Sequence, residues 1–475
     1  MLFNSFSYAI FLPIVFILYW SLPMRFQWAV LLVSSYYFYM SWNAGYILLI
    51  VSVTVISYLT ALLTEKTADP KKKKLFLLLD VSAGLSLLFV FKYFNFFSQA
   101  VAQTAGFFSV PLDPVLIHVI LPVGISFYVF QTISYVADVY MGRAAAENHF
   151  GKYAAFVAFF PQLVAGPIER TSHLLPQIKS PRTFSYDQAS GGLKLMAWGF
   201  FKKLVIADTF AGYSDMVFNH VTSFRGFSLL MAVFFFTIQI YCDFSGYSDI
   251  ALGTAGLFGI ELTDNFKSPY FSGSVKEFWS RWHISLSSWF RDYVYIPLGG
   301  NRVSKLRHKF NLMITFLASG LWHGADWTFV FWGMVHGLAQ VLEGLIPGRK
   351  KSRPNWFATV IVFLFVSFAW IFFRASTLND AYYMITNAFT GITSPLRYLS
   401  EGISALELGK KGLLFCLTVM LVLGSYDSAS RKTNVIAWIG RRKPVFRWSI
   451  YLLLVWSILF LTPASNGKEF IYFQF

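Results

Sequence analysis

Apolar residues in this chain come in long unbroken runs rather than in alternation. Trp28 to Met40, Tyr46 to Leu63, Leu75 to Phe91, Leu229 to Ile240, Ala358 to Phe373, Leu413 to Leu423 and Trp448 to Leu461 are such runs. Several approach the ~20 residues that a helix needs to cross a bilayer. Lipid offers no partner to backbone N–H and C=O groups, so these runs are expected to be helices. With shorter segments counted, roughly ten to twelve spans are expected, some of them re-entrant or interfacial. Tyr153 to Val164 and Phe310 to Leu317 are candidates for half-buried segments. The opening Met1 to Trp20 lacks a basic leading region and a small-residue cleavage site, and it reads as a retained first hydrophobic segment.

Composition supports the same solvent. With 475 residues that are 56% hydrophobic, 20% aromatic and only 13% charged, the chain carries more apolar surface than one water-facing domain can hide. No solenoid repeat and no low-complexity linker interrupts it. The expectation is an all-α, polytopic membrane protein, a single domain over 1–475, with 466–475 as a tail.

The formal charge of +16 would raise the question of nucleic acid in a soluble protein. Here many cations fall in short loops between apolar runs: Arg25, Lys71 to Lys74, the group Arg349, Lys350, Lys351 and Arg353, and the group Arg431, Lys432, Arg441, Arg442 and Lys443. They read as positive-inside loops and require no nucleic-acid partner. With these loops in the cytoplasm, Ala358 to Phe373 runs outward, Leu413 to Leu423 inward and Trp448 to Leu461 outward. The C-terminus is then expected outside. Only Cys242 and Cys416 are present, so neither a disulfide framework nor a cysteine-based zinc site is expected, and no metal is called for.

One segment breaks the apolar texture. From Asn265 to Arg302 the chain reads NFKSPYFSGSVKEFWSRWHISLSSWFRDYVYIPLGGNR, with Lys276, Glu277, Arg281, Arg291 and Asp292 close together. It is either an amphipathic stretch on the membrane surface, with Trp279, Trp282, Trp289 and Phe290 at interfacial depth, or a protein-enclosed segment lining a site. Most of the eight histidines are explicable as loop or interface residues. His323 differs, because apolar and small residues bracket it in ITFLASGLWHGADWTFVFWGMVHG, where an ionisable group is costly. It is either a neutral histidine satisfied by one hydrogen bond or a functional group facing a cavity. Asp243 and Asp249 in YCDFSGYSDIALG are six residues apart, on different faces of a helix, and read as hydrogen-bonding groups near a helix end. The final FIYFQF is unusually apolar for a free terminus.

Taken in order, these segments resemble the membrane-bound O-acyltransferase family, in its bacterial branch of alginate O-acetylase-like and peptidoglycan O-acetyltransferase-like proteins. The likeness runs from MLFNSFSYAIFLPIVFILYW through LPVGISFYVFQTISYVADVY, FPQLVAGPIER, CDFSGYSDIALG, the WHIS and LWHG blocks and FVSFAWIFFRA to FIYFQF. The resemblance implies a ring of tilted helices around a central tunnel, with Asn265 to Arg302 in its cytoplasmic wall. It implies His323 as the essential histidine, His283 as the second motif position and Tyr472 as an acyl-carrying residue. Acetyl-CoA would be the donor, an extracytoplasmic SGNH-type transferase the partner and a cell-surface polysaccharide the acceptor. Arg302, Lys305, Arg307 and Lys309 are then either donors to coenzyme A phosphates or ordinary loop cations. Two other functions fit part of the pattern: a transporter or flippase with His323 as a proton relay, and D-alanyl transfer from a carrier protein.

Overall fold

The computed structural model describes residues 1–345, 355–463 and 470–471. The loop cations Arg349, Lys350, Lys351 and Arg353, and Tyr472, lie outside the described residues. Every element among the described residues is helical. By its internal contacts the chain divides into two compact units, Met1–Leu193 with Ala251–Thr263 and Lys194–Ile250 with Asp264–Phe475.

The first unit contains α1 (Phe6–Ser21), α2 (Gln27–Met40), α3 (Ile47–Lys66), α4 (Pro70–Leu88), α5 (Phe94–Phe107), α6 (Ile125–Tyr140), α7 (Phe150–Ala158), α8 (Phe160–Leu163) and α9 (Thr171–Lys179). A π-helical turn over Phe89–Tyr93 joins α4 to α5. The expected half-buried segment Tyr153 to Val164 is a helix broken at Phe159, and it is enclosed throughout. Side chains satisfy the break. Gln131 Nε2 donates to the Phe156 carbonyl at 3.0 Å, and the Phe160 N–H donates to Ser35 Oγ at 3.0 Å. Two of the sequence motifs meet here. Gly124, at φ 78°, opens α6 so close to the Leu163 carbonyl that a Cβ would collide with it, a place that only glycine fills without strain.

The second unit contains α11 (Asp208–Phe218), α13 (Val275–Arg281), α14 (Ile284–Phe290), α15 (Lys305–His323), α16 (Trp327–Glu343), α17 (Trp356–Arg374), α18 (Leu378–Asn387), α19 (Pro395–Ala405), α20 (Lys410–Ser430), α21 (Val435–Gly440) and α22 (Pro444–Leu461). The helices α10 (Tyr186–Phe200) and α12 (Phe227–Leu257) continue through the residues where the division falls. Phe310 to Leu317, expected as a half-buried piece, is the middle of the 19-residue α15. Its partner is α16, and the two meet backbone to backbone. Gly320 faces the Phe329 carbonyl, and Gly333 faces that of Phe316. Small residues permit this approach where apolar burial alone gives little drive.

Among the described residues, six helices are long and apolar enough to cross a membrane: 44–66, 70–107, 227–257, 356–374, 410–430 and 444–461, with the 16-residue α1 a shorter apolar helix. The last of the six has no buried residue in its apolar window, and Leu452, Leu453, Leu459 and Phe460 are all more than 60% exposed. An apolar face of this size is stable only against lipid or another protein. The chain is a multi-pass membrane protein.

The α15–α16 contact makes a specific prediction. Gly333→Leu should force the two helices apart and lower stability by at least about 1–3 kcal/mol, the usual range for overpacking. Gly424→Leu in α20, where a Cβ meets nothing within 4 Å, should leave the melting temperature of the detergent-purified protein unchanged.

Candidate active site

Aromatic residues of the polar interruption at Asn265 to Arg302 are enclosed by protein, while Lys267, Lys276, Arg291 and Arg302 are exposed. Trp279, Trp282, Trp289 and Phe290 are all buried, so these rings pack against protein rather than lie on a lipid surface. Two short backbone links pin the segment: Lys267 N–H donates to the Arg281 carbonyl and Ile284 N–H to the Asn265 carbonyl, each at 3.0 Å. They force the chain to turn sharply at His283, which takes left-handed backbone angles, φ 43° and ψ 54°. That conformation is costly for a residue with a Cβ and is held where the surroundings demand it. Asn265 Oδ1 then accepts from Ser285 N–H at 3.1 Å and Ser285 Oγ at 2.7 Å, with His283 Nδ1 at 3.4 Å. The His283 ring is fully enclosed, and burial pushes its pKa down to about 3, so it is neutral at physiological pH.

His323 is the last residue of α15. Gly324 follows in extended conformation, packed so closely on the Phe329 ring that no side chain fits there. Asp326 then caps α16 by accepting the Thr328 N–H at 2.9 Å. The LWHGAD block is therefore a helix end, a tight reversal and a helix start, with the imidazole at the corner. Its ring is 4% exposed as a residue and sits among Trp332 at 5.0 Å, Phe373 at 5.4 Å and His283 at 6.4 Å between ring centres. Trp332 in turn stacks on Trp370, and Trp370 meets Trp282 at a tilt of 50°. The structure thus brings together the two motif histidines in an aromatic enclosure of the second unit.

Beside them lies a cavity of about 1450 Å³ between α13, α14, α15 and α16, lined by Ile284 next to His283 and by Ser319, one turn before His323. Lys276, Arg291, Lys305, His308 and Lys309 line it as well. Lys305 is thus on the wall, whereas Arg302 and Arg307 are exposed residues outside that lining. A volume of this size takes a cofactor-sized ligand, and the cations suit an anionic one.

Several residues here were not evident in sequence. His336 is a fully buried residue of α16, not a loop or interface histidine, and its Nδ1 accepts from Trp279 Nε1 at 3.2 Å. Asp243 and Asp249 are not near a helix end, because α12 runs on to Leu257. Each meets a lysine from the π-helical turn Phe201–Ala207: Lys203 with Asp243 at 2.5 Å and Lys202 with Asp249 at 2.8 Å. The signal was the pair of lysines inside the apolar GFFKKLVIADTF, a placement that demands partners. The described end of the tail is also here. Phe470 and Ile471 are buried, with the Ile471 N–H on Asp243 Oδ2 at 2.9 Å. The next residue of α12, Phe244 after Asp243, packs edge-on against His283 at 4.6 Å. Among the described residues, no group of three or more His, Cys, Asp or Glu is placed to hold a metal ion.

A family model for the membrane-bound O-acyltransferases matches residues 34–378. The chain is 38% identical over 483 residues to a probable alginate O-acetylase of Pseudomonas putida, with 98% of each chain covered. It is 34% identical over 540 residues to the peptidoglycan O-acetyltransferase of Helicobacter pylori, covering 100% of this chain and 98% of the other. A teichoic acid D-alanyltransferase of Streptococcus thermophilus is 30% identical over 242 residues, 48% of this chain and 58% of its own. The chain belongs to the membrane-bound O-acyltransferase family.

Proposed function

We propose that this O-acyltransferase moves acetyl groups from cytoplasmic acetyl-CoA across the cell membrane, for O-acetylation of a cell-surface polysaccharide by an extracytoplasmic SGNH-type partner. The observation that carries the reading is the seat of Ile471 within the unit that holds His283 and His323, since Ile471 directly precedes Tyr472. The O-acetylating relatives match nearly the whole chain and the D-alanylating one about half, which favours acetyl over D-alanyl.

In this mechanism the acetyl thioester sits at the end of the 1450 Å³ cavity, with coenzyme A phosphates among Lys305, Lys309 and Arg291. His323 takes the proton from the Tyr472 hydroxyl, the phenolate oxygen attacks the thioester carbonyl, and the C–S bond breaks as the imidazolium returns its proton to the departing thiolate. The carbonyls at the C-terminal end of α15 favour the positive charge that the imidazole carries in passing. The product is an acetyl ester on Tyr472, which the partner's nucleophile then cleaves at the outer face. His283, neutral and hydrogen-bonded, shapes the pocket without exchanging a proton. Transport or flipping with His323 as a proton relay is set aside, because the family is one of acyltransferases.

Mass spectrometry of the C-terminal peptide, after membranes are incubated with isotope-labelled acetyl-CoA, tests the relay. Label is expected on Tyr472 in the wild type and absent in His323→Ala and Tyr472→Phe. An active wild-type preparation without label would sink the tyrosine carrier. The double variant Lys305→Ala, Lys309→Ala should raise the KM for acetyl-CoA about tenfold with little change in kcat, the size expected for losing one or two charge-assisted contacts, whereas Arg302→Ala and Arg307→Ala should stay near wild type. Because burial holds His283 neutral, His283→Asn should leave the midpoint of the pH–rate profile where the wild type has it.

A further inference from the structure

The described end of the tail is held by a set of groups that acyl transfer itself does not use. Asp243 divides its carboxylate: Oδ2 accepts the Ile471 N–H at 2.9 Å, and Oδ1 takes Lys203 Nζ at 2.5 Å. The same ammonium bonds Asp208 Oδ1 at 2.9 Å and lies 4.7 Å from the centre of the Phe470 ring. Tyr247, one turn along α12 from Asp243, meets that ring at 4.1 Å and 88°. The carboxylate thus holds a backbone amide, the ammonium faces an aromatic ring, and a phenol closes the side. Greasy packing of a terminus requires none of these groups. Enclosing an ammonium with two carboxylates is a poor source of stability compared with apolar side chains of similar volume, and what it supplies here is direction.

We infer that Lys203 and Asp243 are positioning residues that form a seat for the C-terminal segment and set the register of Tyr472. The positioning role rests on the tyrosine-carrier reading above; the seat does not. Register matters because a slip of one residue moves every later side chain by about 3.5 Å, beyond hydrogen-bond reach of a base that has to take a phenolic proton. A backbone amide held by a fixed carboxylate, with an aromatic ring on the ammonium one residue earlier, admits one register. The same stretch of α12 carries Phe244 against His283, so the seat and the histidine enclosure share one rigid helix.

The test separates seat from chemistry. Full-length protein in detergent, without acyl donor, is exposed to a carboxypeptidase and its mass followed with time. Ile471→Pro deletes the amide donor and touches no charge. Ile471→Ala keeps the amide and controls for the side chain. Asp243→Asn removes the charge that faces Lys203, and Asp249→Asn alters the neighbouring lysine's partner away from the tail. Ile471→Pro and Asp243→Asn are expected to be trimmed at least about tenfold faster than wild type, the loss of one charge-assisted hydrogen bond, with Ile471→Ala nearer to wild type and Asp249→Asn at its rate. If Asp243→Asn does not purify as a monodisperse protein, Ile471→Pro decides. Equal trimming of wild type and Ile471→Pro overturns the seat. The same proteins are then given labelled acetyl-CoA. Slower labelling of Tyr472 in both variants, with KM for acetyl-CoA unchanged, supports positioning; labelling at the wild-type rate in unseated variants overturns it. Protection of the wild-type tail with no label in any protein overturns the carrier reading and leaves the seat standing.

Discussion

An ammonium enclosed by protein has to be met by opposite charge and by acceptors in the right directions, or the fold does not hold it. Lys203 is 1% exposed and is met by Asp208 and Asp243. Much of the second unit is arranged around that requirement. The π-helical turn at Phe201–Ala207 presents Lys202 and Lys203 to α12 on successive residues, a local distortion of the kind often found at functional sites. Close glycine contacts bring the two backbones together: Gly199 and Gly246 lie so near each other's carbonyls that neither position accepts a side chain. Lys202 meets Ser245 and Asp249 by the same approach.

The helix α12 is accordingly a spine with polar duties in an otherwise apolar element. Besides the two lysine partners it carries Tyr241, whose hydroxyl donates to Asp427 Oδ2 of α20 at 2.7 Å. The α15–α16 hairpin does the complementary task with no charge at all, setting His323 at a corner through glycine contacts and a ring of tryptophans. One side of the candidate site is thus placed by ion pairs and the other by shape.

Much of this could be read in the residues. The apolar runs became helices, and WHIS and LWHG, flagged by polar groups in apolar surroundings, came together in space. Misreadings arose where a local rule met a longer-range one. Asp243 and Asp249 follow an apolar run and so read as a helix end, but packing on α10 and the π turn carries the helix on to Leu257 across Gly246 and Gly253. His336 lies near the polar end of an apolar segment, yet the Trp279 N–H reaches it from another helix, and no sequence pattern encodes that pairing. Trp279, Trp282, Trp289 and Phe290 have interfacial composition, but mutual aromatic packing encloses them. Lys202 and Lys203 stand inside an apolar run, where each ammonium demands a partner that the local sequence does not name. Proximity of Ile471 to Asp243, 228 residues apart, is a tertiary fact outside the reach of periodicity.

The exposed α22 has a mechanical consequence. Its 18 residues make a helix about 27 Å long, slightly shorter than a typical hydrocarbon core of about 30 Å. With no residue of its apolar window buried in the protein, its depth and tilt answer to lipid as much as to packing. It is also the last described helix before the seated Phe470, which stands nine residues beyond Leu461 in the sequence. Bilayer thickness thereby enters as a boundary condition on α22 itself, tying the depth at which its C-terminal end sits to acyl-chain length in the surrounding membrane.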